Sequence, residues 1–324
     1  MKQAQESMQI KVAHLELRTR RNNIRIHGIP EALKDAWRKM NWGDREKELG
    51  WLNLFCLKKD TKKHLRILIY GPAASGKSSF INSVDSVCQN RITSSVAASN
   101  SSHTFTVTYK TYRIKKEVEG QYHSFVFSDV MGFEGKRGVL KEDIKHAMQG
   151  HLKEGYKFNT ESAFSPSDER YNKKPDLNDK ADILVCVVRA GGEPLLTDDI
   201  VDKIKCITTA ARDYEIPQMA ILTKIDEACP LVKESIQNVY KSKHIKKKME
   251  ELHYQLGIPL TNIFPVKNYH EEIDLNADMD MLILRALRQI IQIANDQSGQ
   301  TQSRVSCRET EETSEGERRR HDEE

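Results

Sequence analysis

The chain lacks the features that mark secreted, membrane-spanning and nucleic-acid-binding proteins. Its six cysteines have no paired spacing, which predicts reduced thiols and a cytoplasmic location. No apolar run approaches the roughly 20 residues of a transmembrane helix, and no signal peptide is visible. The formal net charge of +4 is too small to argue for nucleic acid as a partner. These absences favour a cytoplasmic protein without a membrane span.

What the sequence does contain is an alternation of strand patterns with helix patterns. Hydrophobic residues make up 38% of the chain, which is enough for a core. The alternation predicts an α/β fold with a mostly parallel sheet and helices on both faces, and a ligand at the carboxyl ends of the strands. The predicted strands lie at 65–70, 104–116 (an edge strand), 122–128, 181–189, 217–223 and 260–266, and the predicted helices at 77–88, 140–152, 197–213, 232–256 and 278–296.

A phosphate-binding loop is the strongest motif. Residues 71–78 read GPAASGKS, which matches G-x-x-x-x-G-K-[ST] between a predicted strand and a predicted helix. In such a loop the backbone N–H groups and the helix N-terminus bind phosphate, so Lys77 should reach the β- and γ-phosphates and Ser78 should ligate Mg²⁺. The alternative is a glycine-rich turn that binds nothing. The residues predicted to bind phosphate are Gly71, Ala74, Ser75, Gly76, Lys77, Ser78, Ser79 and Gly132.

The second motif is D-x-x-G at the end of the apolar strand pattern 125–128. Asp129 is predicted to hold Mg²⁺ through a water, beside Ser78, and the Gly132 N–H is predicted to meet a γ-phosphate oxygen. Taken alone, an Asp after a strand is usually a turn residue. The signal gains weight because it follows the phosphate loop in the order expected of a nucleotide-binding domain.

The third motif, T-K-x-D at 223–226, indicates which base is bound. A carboxylate at Asp226 can accept hydrogen bonds from N1–H and N2–H₂ of guanine, whereas adenine would leave it unpaired, at a cost of about 1–3 kcal/mol or more. The alternative for Asp226 is a helix N-cap. Together the motifs predict a P-loop NTPase fold of the G-domain type with GTP or GDP and Mg²⁺ as ligands. The residues predicted to contact the base are Thr223, Lys224, Asp226, Val266 and Lys267.

With these motifs, the chain resembles the interferon-induced protein 44 family, including its 44-like members. The resemblance implies a cytoplasmic, dynamin- or septin-like guanine-nucleotide-binding protein of innate and antiviral immunity, with possible self-assembly and with protein partners that the sequence does not identify. The segments that carry it are Gly71–Asn90, Phe125–Gly132, His151–Asn159, Lys224–Val232, Phe264–Asp274, Trp37 and Trp42.

The rest of the chain divides around this nucleotide domain. Residues 61–297 are predicted to form it, with a long polar insertion at 153–180, and residues 35–60 to form a family-specific lead-in helix. Residues 1–34 form a basic segment, and residues 1–32 resemble a fragment of the first-open-reading-frame protein of LINE-type retrotransposons. Residues 298–324 are polar and charged, which predicts a disordered tail.

The sequence leaves hydrolysis open. Fast small GTPases place a Gln after D-x-x-G to orient water, and Phe133 stands there, so slow unaided hydrolysis is expected. Thr104 or Thr106 is a candidate for the hydroxyl that closes on Mg²⁺, and Arg137 for a cation acting in cis. Three functions therefore remain: a GTPase switch or self-assembling GTPase, a nucleotide-binding scaffold without turnover, and a P-loop ATPase with a fortuitous T-K-x-D.

Overall fold

A computed structural model describes residues 32–57, 62–96, 108–134, 137–192 and 195–298 of the chain. Within these residues, a six-stranded sheet forms the centre of the molecule in the order β2-β3-β1-β6-β7-β8. All neighbouring strands are parallel except β2, which pairs antiparallel with β3 at one edge. The six strands are β1 (Leu65–Tyr70), β2 (Lys110–Lys115), β3 (Tyr122–Asp129), β6 (Ile183–Arg189), β7 (Gln218–Thr223) and β8 (Ile263–Pro265), and a small hairpin adds β4 (Phe133–Glu134) and β5 (Arg137–Gly138).

Helices cover both faces of the sheet because successive residues of its buried strands point to opposite sides. In β1, Ile67 and Ile69 belong to one buried cluster, with α1, α2 and α8, while Leu68 and Tyr70 belong to the other, with α3, α4 and α7. The predicted fold class is confirmed. The helices are α1 (Arg45–Leu54), α2 (Lys77–Cys88), α3 (Lys141–Met148), α4 (Asp198–Asp213), α5 (Ile225–Ala228), α6 (Pro230–Glu234), α7 (Lys243–Leu256) and α8 at 277–298.

One predicted helix is wrong. The pattern at 232–256 predicts a continuous helix, but the structure ends α6 at Glu234, inserts a 3₁₀ turn at Ile236–Lys241 and begins α7 at Lys243. Ser242 stops the run because its hydroxyl accepts a hydrogen bond from the Ile245 N–H, which makes it the N-cap of α7. The other predicted strands and helices of the nucleotide domain are found with ends shifted by a few residues, and the part of strand 104–116 before Thr108 lies outside the described residues. The predicted lead-in helix at 35–60 is shorter than expected, since only Arg45–Leu54 is helical in the described part of that segment.

The insertion at 153–180 folds back onto α3 through an aromatic cluster. Tyr156 and Phe164 are buried and pack edge to face at 4.4 Å. The buried carboxylate of Asp143 accepts the Phe164 N–H at 2.7 Å, and burial raises the pKa of Asp143 to about 6. The insertion also reaches the edge strand, since Glu154 accepts the backbone N–H of Thr111 at 2.9 Å. The segment is thus packed on the domain, although it contains no long strand or helix in the described chain.

The lead-in segment is attached to the domain at two points. Glu48 on α1 is buried and accepts hydrogen bonds from Arg285 and Arg288 of α8 at 2.8 and 2.9 Å. Burial alone would raise the pKa of Glu48, but these two guanidinium groups lower it overall. Upstream, Arg38 donates to the carbonyls of Leu260 and Ile263 at 2.8 and 2.9 Å.

The predictions for the two ends of the chain fall almost entirely outside the described residues. These residues leave out 1–31, which is nearly all of the basic N-terminal segment, and 299–324, which is nearly all of the predicted disordered tail. The helices that are described are each too short or too polar to cross a bilayer. The five cysteines of the described chain are all free thiols.

Candidate functional site

The phosphate loop lies between β1 and α2, and it is shaped as an anion-binding turn. Lys77, the first residue of α2, is buried, and its ammonium donates to the carbonyls of Gly71 and Pro72 at 3.3 and 2.9 Å. These bonds hold the ammonium under the loop, at the N-terminus of a 12-residue helix. The loop backbone, the helix dipole and the lysine charge therefore all favour a phosphate at this point.

The two predicted magnesium ligands are in direct contact. Asp129 is the last residue of β3 and pairs in register with Ile69 of β1, so its side chain lies beside the phosphate loop. The Ser78 hydroxyl donates to the Asp129 carboxylate at 2.9 Å, and Asp129 is fully buried. A hydroxyl and a carboxylate oxygen this close together can bind one hard cation beside a phosphate.

Gly132 brings the D-x-x-G segment against the phosphate loop. A Cβ atom added at Gly132 would lie 2.8 Å from the Ala73 nitrogen and 3.0 Å from the Lys77 ammonium, so no other residue fits without displacement. The contact is fixed by backbone hydrogen bonds in both directions, from Ala73 N–H to the Phe133 carbonyl and from Phe133 N–H to the Gly71 carbonyl. The Gly132 N–H is thereby held next to the lysine that is predicted to bind the γ-phosphate.

The loops after β7 and β8 are connected directly to the phosphate loop. The Thr223 hydroxyl donates to the carbonyl of Ser75, and the Asn268 side-chain amide donates to the carbonyl of Gly76 at 3.1 Å. Gly76 has a φ of 91°, and a Cβ there would lie 2.9 Å from the same amide nitrogen, so glycine is required. The sequence predicts that Thr223 contacts the base, and in the structure its buried hydroxyl is directed to the predicted phosphate-binding loop.

The residues predicted to recognise the base form a charged group at the same edge of the sheet. The Lys267 ammonium lies 3.9 Å from the Asp226 carboxylate and 2.7 Å from that of Glu272. Lys224 has a left-handed backbone, with φ 55°, and its ammonium lies 3.3 Å from Glu227. The side chains of Lys267 and Asp226 are only about one fifth exposed, at 20% and 18%. Val266, the residue between β8 and Lys267, is buried.

Phe133 lies inside the protein. Its ring is buried and packs edge to face on Tyr70 at 6.2 Å, so it points into the core rather than toward the phosphate loop. The sequence predicts that this residue cannot orient water, and its burial gives a second reason. Thr104 and Thr106 lie outside the described residues, and for Arg137 only the backbone, in β5, is described.

The polar groups present fit a nucleotide with its metal. The buried Ser75 hydroxyl and the side-chain carbonyl oxygen of Asn268 have no hydrogen-bond partner among the described residues, so this loop retains polar atoms that a ligand can satisfy. No cluster of three or more His, Cys, Asp or Glu side chains suited to a metal occurs in the described chain. Mg²⁺ does not need one, because it binds one or two protein oxygens together with substrate phosphates and water.

Sequence reasoning missed two residues at this site. Asn268 directly follows the predicted base-contacting residues Val266 and Lys267, and its polar side chain is a signal that could have been used. Glu272 gives no such signal, since its approach to Lys267 depends on the turn after β8.

A cavity of about 500 Å³ lies elsewhere, at the amino ends of β1, β6 and β7. Its floor includes the Lys62–Asp182 ion pair, at 2.6 Å. In open α/β sheets ligands bind at the carboxyl ends of the strands. We therefore keep the phosphate-loop edge as the candidate site.

The fold and the site together define a class of protein. The parallel sheet with one antiparallel edge strand, the phosphate loop after β1 and the D-x-x-G segment after β3 make the chain an α/β P-loop protein of the G-domain type.

Comparison with known proteins narrows the class to a family. Human interferon-induced protein 44-like is 29% identical over 276 residues, which cover 84% of this chain and 61% of that protein. Mouse interferon-induced protein 44 is 31% identical over 237 residues, which cover 73% and 56% respectively. The resemblance to the interferon-induced protein 44 family is confirmed, and the chain spans only about three fifths of the length of these curated relatives.

No family model matches the chain. The resemblance of residues 1–32 to a retrotransposon protein is not borne out. Among solved structures, Toc33 from Arabidopsis thaliana, in complex with GDP and Mg²⁺, is 14% identical and covers 79% of this chain and 97% of its own, with a TM-score of 0.46. At this identity and score, the likeness says nothing about ligand binding by this chain.

Proposed function

We propose that the chain binds guanine nucleotides, GTP and GDP, together with Mg²⁺. One observation carries the proposal: the loops after β7 and β8 are hydrogen-bonded to the phosphate loop, through Thr223 and Asn268. The Asp226 carboxylate, which we assign to guanine recognition, therefore lies at the same edge of the sheet as Lys77 and the Ser78–Asp129 pair. A purine ring and a triphosphate need this combination of groups in one site.

In this proposal each group has one task. The phosphate-loop amides, Lys77 and the Gly132 N–H bind the phosphates, and Ser78 with Asp129 holds Mg²⁺, which would offset phosphate charge when bound. Asp226 accepts the two guanine donors, the stem of Lys224 covers the base, and the backbone N–H of Lys267 donates to guanine O6. The Val266 N–H is bonded to the Leu222 carbonyl at 2.8 Å, which anchors the start of this loop. The remaining predicted residues supply backbone N–H groups around the phosphates: Gly71, Ala74, Ser75, Gly76 and Ser79.

The wider role is proposed from the relatives. Their names describe interferon-induced proteins, which supports the proposal that this chain is induced by interferon. A part in the innate antiviral response and a cytoplasmic location complete the proposed role. We assign nucleotide binding to residues 61–297, with the insertion at 153–180, and a supporting role to the lead-in at 35–60. Self-association and binding to other proteins are part of the same proposal.

Thermal stabilisation by nucleotides tests the proposal. We expect GTP and GDP with Mg²⁺ to raise the melting temperature of the purified chain, and ATP to bind at least roughly tenfold more weakly because adenine leaves the Asp226 carboxylate unpaired. Chelating Mg²⁺ with EDTA should reduce the rise in melting temperature caused by GTP. It should change any rise caused by guanosine much less, because guanosine has no phosphates to share the metal. Equal stabilisation by ATP and GTP would overturn the guanine assignment and leave a P-loop ATPase with a fortuitous T-K-x-D as the alternative.

A second candidate, a nucleotide-binding scaffold without turnover, is favoured by one observation. The ring of Phe133 is buried against Tyr70, so the position after D-x-x-G offers no group to orient an attacking water. Both candidates bind GTP, and they differ only in whether phosphate is released.

Turnover measurements separate the two candidates. We expect isolated hydrolysis on the order of 10⁻³ s⁻¹ or slower, because Phe133, the residue after Gly132, cannot orient a water. If copies of the chain associate and order the switch segments, the rate per molecule should rise with protein concentration. A fast rate at nanomolar protein that does not change with concentration contradicts the expectation. Bound GTP with no phosphate release at any concentration supports the scaffold.

A further inference from the structure

A carboxylate outside the predicted motifs controls the charge next to the base-recognition residue. Glu272 Oε1 lies 2.7 Å from the Lys267 ammonium, while the same ammonium lies 3.9 Å from Asp226 Oδ2. The lysine is therefore drawn toward Glu272 and away from Asp226. Each of the three side chains is only 18–22% exposed, so water screens their interaction less than it screens surface pairs.

Glu272 is itself held in place by the backbone. Its second oxygen accepts the N–H groups of His270 and Glu271 at 3.0 and 3.3 Å, which fixes the carboxylate at the turn that follows the base loop. Burial alone would raise the pKa of Glu272, but the hydrogen bonds from Lys267 and from the His270 N–H lower it to about 2. The group is thus negatively charged at neutral pH.

The charge arrangement has a chemical consequence for the base. A guanine ring offers two N–H donors to Asp226, and an ammonium that paired with the same carboxylate would compete with them. Asp226 can serve the base only if Lys267 has another anionic partner. Glu272 supplies this partner, since its carboxylate lies 2.7 Å from the Lys267 ammonium, whereas the Asp226 carboxylate lies 3.9 Å from it.

We propose that Glu272 is a positioning residue for guanine specificity, which holds Lys267 off Asp226 and so leaves that carboxylate available to the purine. The inference rests on the proposed guanine-nucleotide function. It assigns to Glu272 no contact with the nucleotide itself. Its effect reaches the base through Lys267 and leaves the phosphate loop unchanged.

Glu272→Gln tests the inference, because glutamine keeps the shape and the acceptor oxygen while removing the charge. We expect the affinity for GDP to fall about three- to fivefold, near the upper end of the range for ion pairs that keep some solvent exposure, and the affinity for ATP to change less than about twofold. Inosine triphosphate lacks the 2-amino donor, so the preference for GTP over inosine triphosphate should shrink as well. The matched control is Glu271→Gln, since the side chain of Glu271 is 84% exposed and its carboxylate lies 3.4 Å from the neighbouring His270 ring.

A double-mutant cycle separates positioning from simple support of the fold. In a Lys267→Met background, Glu272→Gln should cause no further loss of guanine selectivity, because the ammonium that it restrains is gone. Melting temperatures without nucleotide report any damage to the fold. If the parent chain shows no preference for guanine, the proposed function and this inference both fall. If the parent prefers guanine and Glu272→Gln matches Glu271→Gln, only this inference is overturned.

Discussion

Replacing Lys77 with alanine is expected to abolish measurable GTP binding at concentrations that saturate the parent chain. The variant loses a buried cation at the N-terminus of α2, where its ammonium lies under the phosphate loop. Hydrogen bonds to charged groups contribute about 1.5–3 kcal/mol each, so the loss of the β- and γ-phosphate contacts should cost roughly 100-fold or more in affinity. Isothermal titration with GTP and with GDP measures the effect.

Two further variants make the Lys77 result interpretable. Lys77→Met keeps the apolar stem of the side chain, so it should lose GTP affinity while the melting temperature without nucleotide stays close to that of the parent. Lys247→Ala removes an exposed lysine of α7, away from the loop, and should bind GTP normally. If Lys77→Met binds GTP as tightly as the parent, the residues 71–78 are not a phosphate-binding loop.

The second large effect is expected at Asp226, where alanine should erase the preference for guanine over adenine. The two hydrogen bonds to N1–H and N2–H₂ are lost, so GTP affinity falls by at least roughly tenfold and approaches that of ATP. Phosphate-driven binding should remain, since Lys77 and the Ser78–Asp129 pair are unchanged. Competition of GTP and ATP against a fluorescent guanine nucleotide gives both affinities in one experiment.

The control for Asp226 is the neighbouring acid. Glu227→Gln changes a carboxylate that is 59% exposed and paired with Lys224, and it should leave the preference for guanine nearly intact. A selectivity that survives Asp226→Ala at its full value would refute base recognition by this residue. It would then favour a fortuitous T-K-x-D motif.

The sequence predicts well whatever is encoded locally. Strand β1, the phosphate loop and α2 are found at the predicted residues, because a glycine-rich turn between an apolar run and an amphipathic run has few other solutions. The contact between Ser78 and Asp129 follows from the order of the strands, since β1 and β3 are neighbours and end at the same edge. The phosphate loop needs no knowledge of distant contacts, and the Ser78–Asp129 contact needs only the expectation that β1 and β3 are neighbours.

The rest depends on tertiary contacts that no spacing rule contains. The burial of Phe133 follows from its packing against Tyr70, which lies in another strand. The break before α7 follows from a single capping hydroxyl in a run that otherwise has helical periodicity. The hydroxyl of Thr223 could equally have faced a base, and its bond to Ser75 is decided by how closely two loops approach. Thr104, Thr106 and Arg137 stay predictions.

The outer strands of the sheet carry a consequence for how copies of the chain can meet. An exposed edge strand offers free backbone groups and can recruit a strand of another molecule. At one edge the Arg38 guanidinium occupies the Ile263 carbonyl of β8, and at the other Glu154 occupies the Thr111 N–H of β2. A strand of another molecule would have to displace these side chains to pair at either position, so the two contacts favour self-assembly through side-chain surfaces over a continuous backbone ladder.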